Sequence, residues 1–172
     1  MGQATMTTAS RREQFQTLLE RHRGIVLKVA NTYCRHAEDR RDLAQEIATQ
    51  AWKAFAAWDV TRPFSTWLYR IALNVAISFV RGTRHPARQA VALDELDSEP
   101  GHDDDATRET DDGIRALYRV IEQFDPLNRA LLLLYLDDKS QREIAEILGI
   151  SETNVATKIA RLKQRIRNDI GN

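Results

Sequence analysis

The feature that most constrains this chain is a pair of short helices that meet at a sharp turn near the C-terminus. Ser140 can cap the first helix, and Glu143, three residues later, completes a capping box. Gly149 can adopt the left-handed conformation that ends this helix. The small Ala145 lets the second helix approach closely, and Val155 fills the angle between the two. This spacing predicts a helix-turn-helix.

The second helix of this motif carries polar and basic side chains on its outer face. Ser151 can cap it, and the outward positions are Glu152, Thr153, Asn154, Thr157, Lys158 and Arg161. In a DNA-binding helix-turn-helix, the second helix enters the major groove with its N-terminal residues at the base edges. Asn154 can bind an adenine edge, and Lys158 or Arg161 can bind a guanine or a phosphate. The motif favours binding to duplex DNA; the alternative is a helical hairpin that serves only for packing.

The rest of the chain is also predicted to be helical. Apolar residues recur at three- or four-residue steps between 43 and 58 and between 67 and 79, and 11–33 has a similar pattern. No strand-like alternation occurs. Residues 85–113 lack such a face and contain two prolines and a run of three aspartates. We therefore predict an all-α fold, with small helical domains over 11–84 and 114–170 joined by a flexible acidic linker over 85–113.

The distribution of charge supports this division. Lysine plus arginine and aspartate plus glutamate number 25 each, so the formal net charge is zero. The acidic residues concentrate in the predicted linker, whereas both flanking domains carry a net positive charge. Such a separation of acidic and basic segments indicates which partners a protein can bind rather than which fold it adopts.

Several classes of protein are disfavoured by what the sequence contains. No apolar run approaches the roughly 20 residues that span a bilayer, and residues 1–10 have no signal-peptide core, so we expect a cytoplasmic protein without membrane insertion. Cys34 is the single cysteine and cannot form an internal disulfide. The four histidines are scattered, and no nucleophile with a base or glycine-rich loop accompanies the carboxylates. We expect no metal, no cofactor and no enzymatic activity.

Three segments together resemble one family. Residues 42–47 and 51–55 resemble the polymerase-binding helix of sigma-70 family proteins, and 64–74 resembles the segment that melts and reads the −10 promoter element. The helix-turn-helix, preceded by Pro126 and Arg129, resembles the domain that reads the −35 element. With these two domains and a short linker, the chain resembles an extracytoplasmic-function (ECF) sigma factor. The resemblance implies core RNA polymerase and promoter DNA as partners, and possible control by an anti-sigma factor; a free monomer is expected.

The resemblance also implies a set of contact residues. Those facing the polymerase are Asp39, Asp42, Gln45 and Glu46. Those at the −10 element are Arg62, Phe64, Ser65 and Thr66, around a pocket for a flipped base, with Arg70, Asn74 and Arg81 along the single strand. Those at the −35 element are Arg129, Ser151, Glu152, Thr153, Asn154, Thr157, Lys158 and Arg161.

The sequence departs from the family pattern at two of the implied surfaces. Arg41 replaces a carboxylate that often precedes the Gln45-Glu46 pair, and Ala156 stands where a lysine often follows the buried valine.

The rival hypothesis is a transcription regulator that binds duplex DNA by its helix-turn-helix without polymerase. An enzyme or a protein-interaction module without nucleic acid are further alternatives.

Overall fold

The computed structural model describes residues 7–83 and 105–170, with side chains described for 7–82 and 112–169. In these ranges the chain forms helices and connecting turns and no strand. The helices are α1 (Thr8–Arg21), α2 (Arg23–Tyr33), α3 (Ala37–Ala54), α4 (Phe64–Thr83), α5 (Asp105–Glu122), α6 (Pro126–Leu136), α7 (Gln141–Leu148) and α8 (Glu152–Ile170). A short 3-10 turn, Phe55–Ala57, follows α3. The prediction of an all-α fold is confirmed.

The N-terminal module comprises α1 to α4 and is built around α2, α3 and α4, which pack against one another. Their apolar stripes meet in a core where Leu43, Ile47 and Leu68 are fully buried. Because apolar residues recur every three or four positions on each helix, one side of every helix faces this core. Exposed residues of α3 and α4, among them Gln45 and Arg70, lie outside this core.

The C-terminal module comprises α5 to α8. Asp125 caps α6 by accepting a 3.0 Å hydrogen bond from the Asn128 amide, and Pro126 occupies the first turn, where its missing N–H has no consequence. Leu131 and Leu134 of α6 are fully buried, as are Ile144 of α7 and, in α8, the valine at 155. The predicted helix-turn-helix therefore rests on α6.

Two boundaries differ from the sequence-based expectation. The stretch from 11 to 33, predicted as one apolar pattern, is divided at His22, whose Nδ1 lies 2.9 Å from the carbonyl of Leu18 and whose ring packs 5.1 Å from that of Phe64. Helix α5 begins at Asp105 rather than near residue 114. A glycine within a helix, here Gly113, costs about 1 kcal/mol relative to alanine but does not end the helix. Of the predicted linker, 85–104 lies outside the described residues.

The two modules pack against each other. Helix α2 contacts α5 and α6, while α4 contacts α6 and α7. The buried residues of both modules form one continuous apolar core. The helix-turn-helix is therefore seated on the N-terminal module in this structure.

Candidate nucleic-acid interface

The first helix of the helix-turn-helix is capped at both ends as predicted. The Ser140 hydroxyl accepts a 3.1 Å hydrogen bond from the Glu143 amide, and the Glu143 carboxylate accepts a 2.9 Å bond from the Ser140 amide. Gly149 ends the helix with φ +69°, in the left-handed region. These caps fix where α7 begins and ends, and so where the second helix starts.

The outer face of α8 is free of the protein core. The Ser151 hydroxyl accepts a 3.1 Å hydrogen bond from the Asn154 amide and so caps the helix, while Val155 is fully buried. The exposed candidates are Ser151, Glu152, Thr153, Asn154, Thr157 and Arg161, with Lys158 half-buried. The structure thus brings seven of the eight predicted −35 contacts to one surface.

Two basic residues further along α8 turn back onto aromatic rings. The Lys163 ammonium lies 4.4 Å from the ring centroid of Tyr135, and the Arg165 guanidinium lies 4.7 Å from that of Phe124. Cation–π contacts of this kind hold the long side chains against the module. Lys158 and Arg161 have no such partner among the described residues, so they are the better placed for phosphate.

Arg129 lies apart from this surface. Its Nε donates to the carbonyl of Phe124 and its Nη2 to that of Glu122, both at 2.8 Å, and its guanidinium lies 6.0 Å from the ring of Tyr33. These bonds satisfy carbonyls at the C-terminal end of α5. The predicted DNA contact is placed where it ties α5 to α6.

The predicted polymerase-binding residues line the outer side of α3. Asp42, Gln45 and Glu46 are exposed, Asp39 is half-buried, and the Glu46 carboxylate accepts a 2.8 Å hydrogen bond from Gln50. Residues at i, i+3 and i+4 share one helix face, which explains their grouping. Arg41 is also exposed, on the neighbouring part of the helix.

The loop before α4 has a defined shape. The Asp59 carboxylate accepts hydrogen bonds from the Thr61 amide at 2.9 Å and the Thr61 hydroxyl at 2.7 Å, and these bonds hold the pKa of Asp59 below its usual value. The Arg62 amide then donates to the Asp59 carbonyl at 3.0 Å. Sequence reasoning missed Asp59, although an aspartate two residues before threonine is a recognised turn signal.

The predicted −10 residues fall into three groups by exposure. Phe64 is buried, with its ring 5.4 Å from that of Trp58 and 5.2 Å from that of Trp67, so it supports the loop from inside rather than lining a surface. Ser65 and Thr66 are half-buried in the first turn of α4. The exposed members are Arg62, Arg70, Asn74 and Arg81.

A groove joins the α3 and α4 surfaces. It has a volume of about 630 Å³, and its lining includes Glu46 and Gln50 of α3 and Asn74, Ser78 and Phe79 of α4. A predicted polymerase contact, Glu46, and a predicted −10 contact, Asn74, thus border the same depression.

Polar contacts cross between the modules at the −10 loop and at the end of α6. Arg62 Nη1 lies 3.0 Å from a carboxylate oxygen of Glu146 on α7. The Asp137 carboxylate, just after α6, accepts hydrogen bonds from the Lys28 ammonium and the Tyr69 hydroxyl. Burial opposes the ionisation of Asp137, but the hydrogen bonds from Lys28 and Tyr69 outweigh it and hold its pKa below the usual value.

Neither the lone cysteine nor the possible metal ligands of the described residues form a reactive cluster. Cys34 is buried, and this burial raises the pKa of its thiol to about 11. In residues 7–83 and 105–170, no three histidine, cysteine or acidic side chains are gathered as metal ligands would be. None of the helices described here is both long and apolar enough to cross a membrane.

Comparison with protein families gives two matches in the order that the sequence predicted. The family model of sigma-70 region 2 matches residues 18–85, and that of sigma-70 region 4 matches residues 114–166. The first match covers most of the N-terminal module, and the second covers the C-terminal module from the middle of α5 onwards.

Two curated relatives are similar over most of the chain. The ECF RNA polymerase sigma-E factor of Escherichia coli K12 is 28% identical over 168 residues, which are 91% of this chain and 86% of that protein. The probable RNA polymerase sigma factor RfaY of Xanthomonas campestris is 26% identical over 151 residues, 84% of this chain. This chain spans only 37% of the length of RfaY.

Two solved structures share the fold. CnrH in complex with the cytosolic domain of CnrY has a TM-score of 0.66 at 24% identity, with 93% of this chain and 89% of that one covered. The sigma factor RpoE of Bartonella quintana, in complex with the anti-sigma factor NepR, has a TM-score of 0.59 at 15% identity, with 91% and 94% covered.

Proposed function

The chain belongs to the ECF group of the sigma-70 family and has the function of an RNA polymerase sigma factor, and on that premise we propose that it docks on core polymerase, opens the −10 element and reads the −35 element. One observation carries the proposal. The chain presents a polar face on α3, an exposed row of Arg70, Asn74 and Arg81 on α4, and a recognition helix α8 that is capped by Ser151. We assign the first two functions to residues 11–84 and the third to 114–170, with 85–113 as the connection.

The polymerase contact is assigned to α3. Asp42, Gln45 and Glu46 project from one exposed face, which offers carboxylates and an amide to a partner surface rich in donors. Asp39 extends this face towards the start of the helix. The exposed Arg41 interrupts the acidic character, so we expect docking that depends more on Gln45 and Glu46 than on a continuous acidic run.

Opening of the −10 element is assigned to the loop and α4. An unstacked base must find a pocket or a stacking surface that offsets the lost pairing. The turn fixed by Asp59 and the half-buried Ser65 and Thr66 supply polar groups, and the buried Phe64 gives the loop a rigid base. Arg70, Asn74 and Arg81 lie on the exposed side of α4, where they can bind the backbone of the single strand.

Recognition of the −35 element is assigned to α8. Its N-terminal residues are the ones that reach base edges when a recognition helix enters the major groove. Asn154 is exposed in that first turn, and Lys158 and Arg161 follow one and two turns later. Arg129 acts, in this proposal, by positioning α6 rather than by binding DNA.

One further kind of partner, an anti-sigma factor, is proposed from similarity of fold alone. The Bartonella sigma factor RpoE was solved with the anti-sigma factor NepR, and its fold is similar to that of this chain. We propose that an anti-sigma factor can bind this protein, which is otherwise a monomer.

The experiment is a binding titration with purified bacterial core polymerase. The fluorescently labelled protein should bind core, and Gln45→Ala/Glu46→Ala should weaken binding by about tenfold, the effect of removing two charge-assisted or polar contacts. A matched control, Glu13→Ala/Gln16→Ala, removes the same residue types from the exposed side of α1 and should bind like the wild type.

The result that would contradict the proposal is equal binding by all three proteins, or no binding at all.

Opening of the −10 element is measured by the permanganate reactivity of unpaired thymines. Arg70→Ala/Asn74→Ala should reduce that reactivity while leaving core binding unchanged. Unchanged reactivity would remove α4 from the strand-opening surface.

A further inference from the structure

The contact between the two modules is organised by two carboxylates of the C-terminal module. Asp137 accepts hydrogen bonds from Lys28 on α2 and Tyr69 on α4, and Tyr69 is fully buried. Glu146 pairs with Arg62 at 3.0 Å. One carboxylate therefore joins α6 to two helices of the N-terminal module, and the other joins α7 to the loop before α4.

The Arg62–Glu146 pair engages a residue that is assigned to promoter DNA. A guanidinium binds a carboxylate and a phosphate through the same parallel N–H donors. Glu146 therefore binds the Arg62 guanidinium that a DNA phosphate would otherwise bind. The helix that carries Glu146, α7, also packs on α4, next to the proposed −10 surface.

The packed arrangement is incompatible with simultaneous contact to both promoter elements. Elements centred near −10 and −35 are about 25 base pairs apart, which at 3.4 Å per base pair is about 85 Å. In this structure Arg62, at the −10 surface, touches α7, the helix that directly precedes the recognition helix. The modules must therefore separate before the −35 and −10 elements can be bound together.

On the basis of the proposed function, we propose that Asp137 and Glu146 form an internal latch that holds the free sigma factor closed, with the helix-turn-helix seated on the −10 surface. Core polymerase and promoter DNA open the latch by offering each module a competing partner. The DNA backbone takes Arg62 from Glu146, and the separation of the modules releases Asp137 from Lys28 and Tyr69.

The chemistry of the latch suits a reversible device. The side chains of Arg62 and Glu146 are 65% and 47% exposed, and such pairs are individually weak and screened by salt. The Asp137 contacts are more protected, since its side chain is 23% exposed and its hydroxyl partner is buried. The closed form should therefore be favoured at low ionic strength and yield as salt or a polyanion competes.

The first test uses the full chain without polymerase. Small-angle X-ray scattering should give a larger radius of gyration for Asp137→Ala/Glu146→Ala than for the wild type at low salt, with an open fraction about tenfold higher. The control Glu13→Ala/Asp169→Ala removes two exposed carboxylates outside the interface and should scatter like the wild type. Far-ultraviolet circular dichroism checks that helicity is retained. Equal radii for all three folded proteins would overturn the latch.

The second test locks the closed form through residues outside the latch. Arg35 and Glu122 pair across the modules at 2.9 Å, and neither is assigned to polymerase or DNA. In a Cys34→Ala background, Arg35→Cys/Glu122→Cys is joined by a reducible bis-maleimide. The joined protein should give about tenfold less run-off transcript with core polymerase, and reduction of the linker should restore it.

The two claims fail in distinguishable ways. If the joined protein initiates as well as the same variant without the linker, closure does not limit initiation and the latch is refuted. If neither the wild type nor the unjoined variant initiates, the proposed sigma function fails, while the scattering measurement still decides whether Asp137 and Glu146 hold the modules together.

Discussion

The hydroxyl of Tyr33 donates a 2.6 Å hydrogen bond to the main-chain carbonyl of Pro126, 93 residues further along the chain. It thereby joins the end of α2 to the first turn of α6 in a buried position. Burial also raises the pKa of the Tyr33 phenol, so this group stays a donor throughout the physiological range. The contact between the modules thus contains a specific buried bond as well as apolar packing.

Tyr33→Phe should destabilise the protein, because a buried hydrogen bond between the two modules is lost. The Pro126 carbonyl keeps its hydrogen bond within α6, so the expected loss is that of one typical hydrogen bond, about 0.5–1.5 kcal/mol. Urea unfolding measures the change. Tyr135→Phe is the control, since Tyr135 is 39% exposed and its ring rather than its hydroxyl meets Lys163. Similar losses in both variants would show that the Tyr33 bond contributes nothing specific.

Substitutions at two glycines should change stability in opposite directions. Gly149→Ala should lower the free energy of unfolding by about 1 kcal/mol, because alanine is strained at φ +69°. A Cβ added at this position would have no neighbour within 4 Å, so the loss would come from the backbone alone. Gly113→Ala, also without a neighbour within 4 Å, should stabilise by about 0.5–1 kcal/mol because it lies inside α5. Thermal unfolding compares the two. A gain at Gly149 would contradict the assigned turn.

Acid should weaken the contact at Asp137. Its pKa is lowered in the folded protein, so its contribution to stability is present above the unfolded pKa and is lost as pH falls through the folded pKa. The loss therefore begins as the pH approaches the unfolded carboxyl pKa of about 3.9 and continues below it. The groups that face the carboxylate are Lys28 of α2, Tyr69 of α4 and Lys139 of the following turn. Burial raises the pKa of the Tyr69 phenol, so this group stays neutral as the pH falls.

The measurement is the free energy of unfolding as a function of pH. Asp59 also has a lowered pKa and titrates in the same window, so the slope of the wild type is compared with that of Asp137→Asn. The variant should lose less stability on acidification. Parallel pH profiles would show that Asp137 carries no linked stability.

Charge removal on α8 should alter the salt dependence of DNA binding. Lys158→Ala and Arg161→Ala should each weaken binding of polymerase–sigma complexes to −35 duplexes and lower the slope of log K against log salt by about 1. Lys163→Ala is the matched control, because the Lys163 ammonium is held over Tyr135. An identical slope for Lys163→Ala and Arg161→Ala would remove the distinction between the two parts of the helix.

The local features of this fold follow from nearby residues and were predictable from sequence. Ser140 and Glu143 are three residues apart. Gly149 has no side chain and can therefore adopt the left-handed turn without strain. The break at His22 was not predictable from periodicity, since the apolar pattern continues on both sides of it. Periodicity gives the apolar face of a helix without identifying its partner.

The same limit applies to the candidate surfaces. Most candidate residues on α3 and α8 are exposed, and this exposure follows from helical spacing. The burial of Phe64 and the inward bonds of Arg129 were not, since each depends on neighbours brought together by folding. The pairing of Arg62 with Glu146 spans 84 residues and has no signal in either local sequence.

Run-off transcription with purified bacterial core polymerase, on the promoter of this protein's own gene, tests the sigma function most directly. We expect specific initiation only when the protein is added, and its loss with Gln45→Ala/Glu46→Ala but not with Glu13→Ala/Gln16→Ala. The contrary result is no initiation on any native promoter, combined with tight binding to an operator duplex in the absence of core, which would identify a regulator that acts without the polymerase contact.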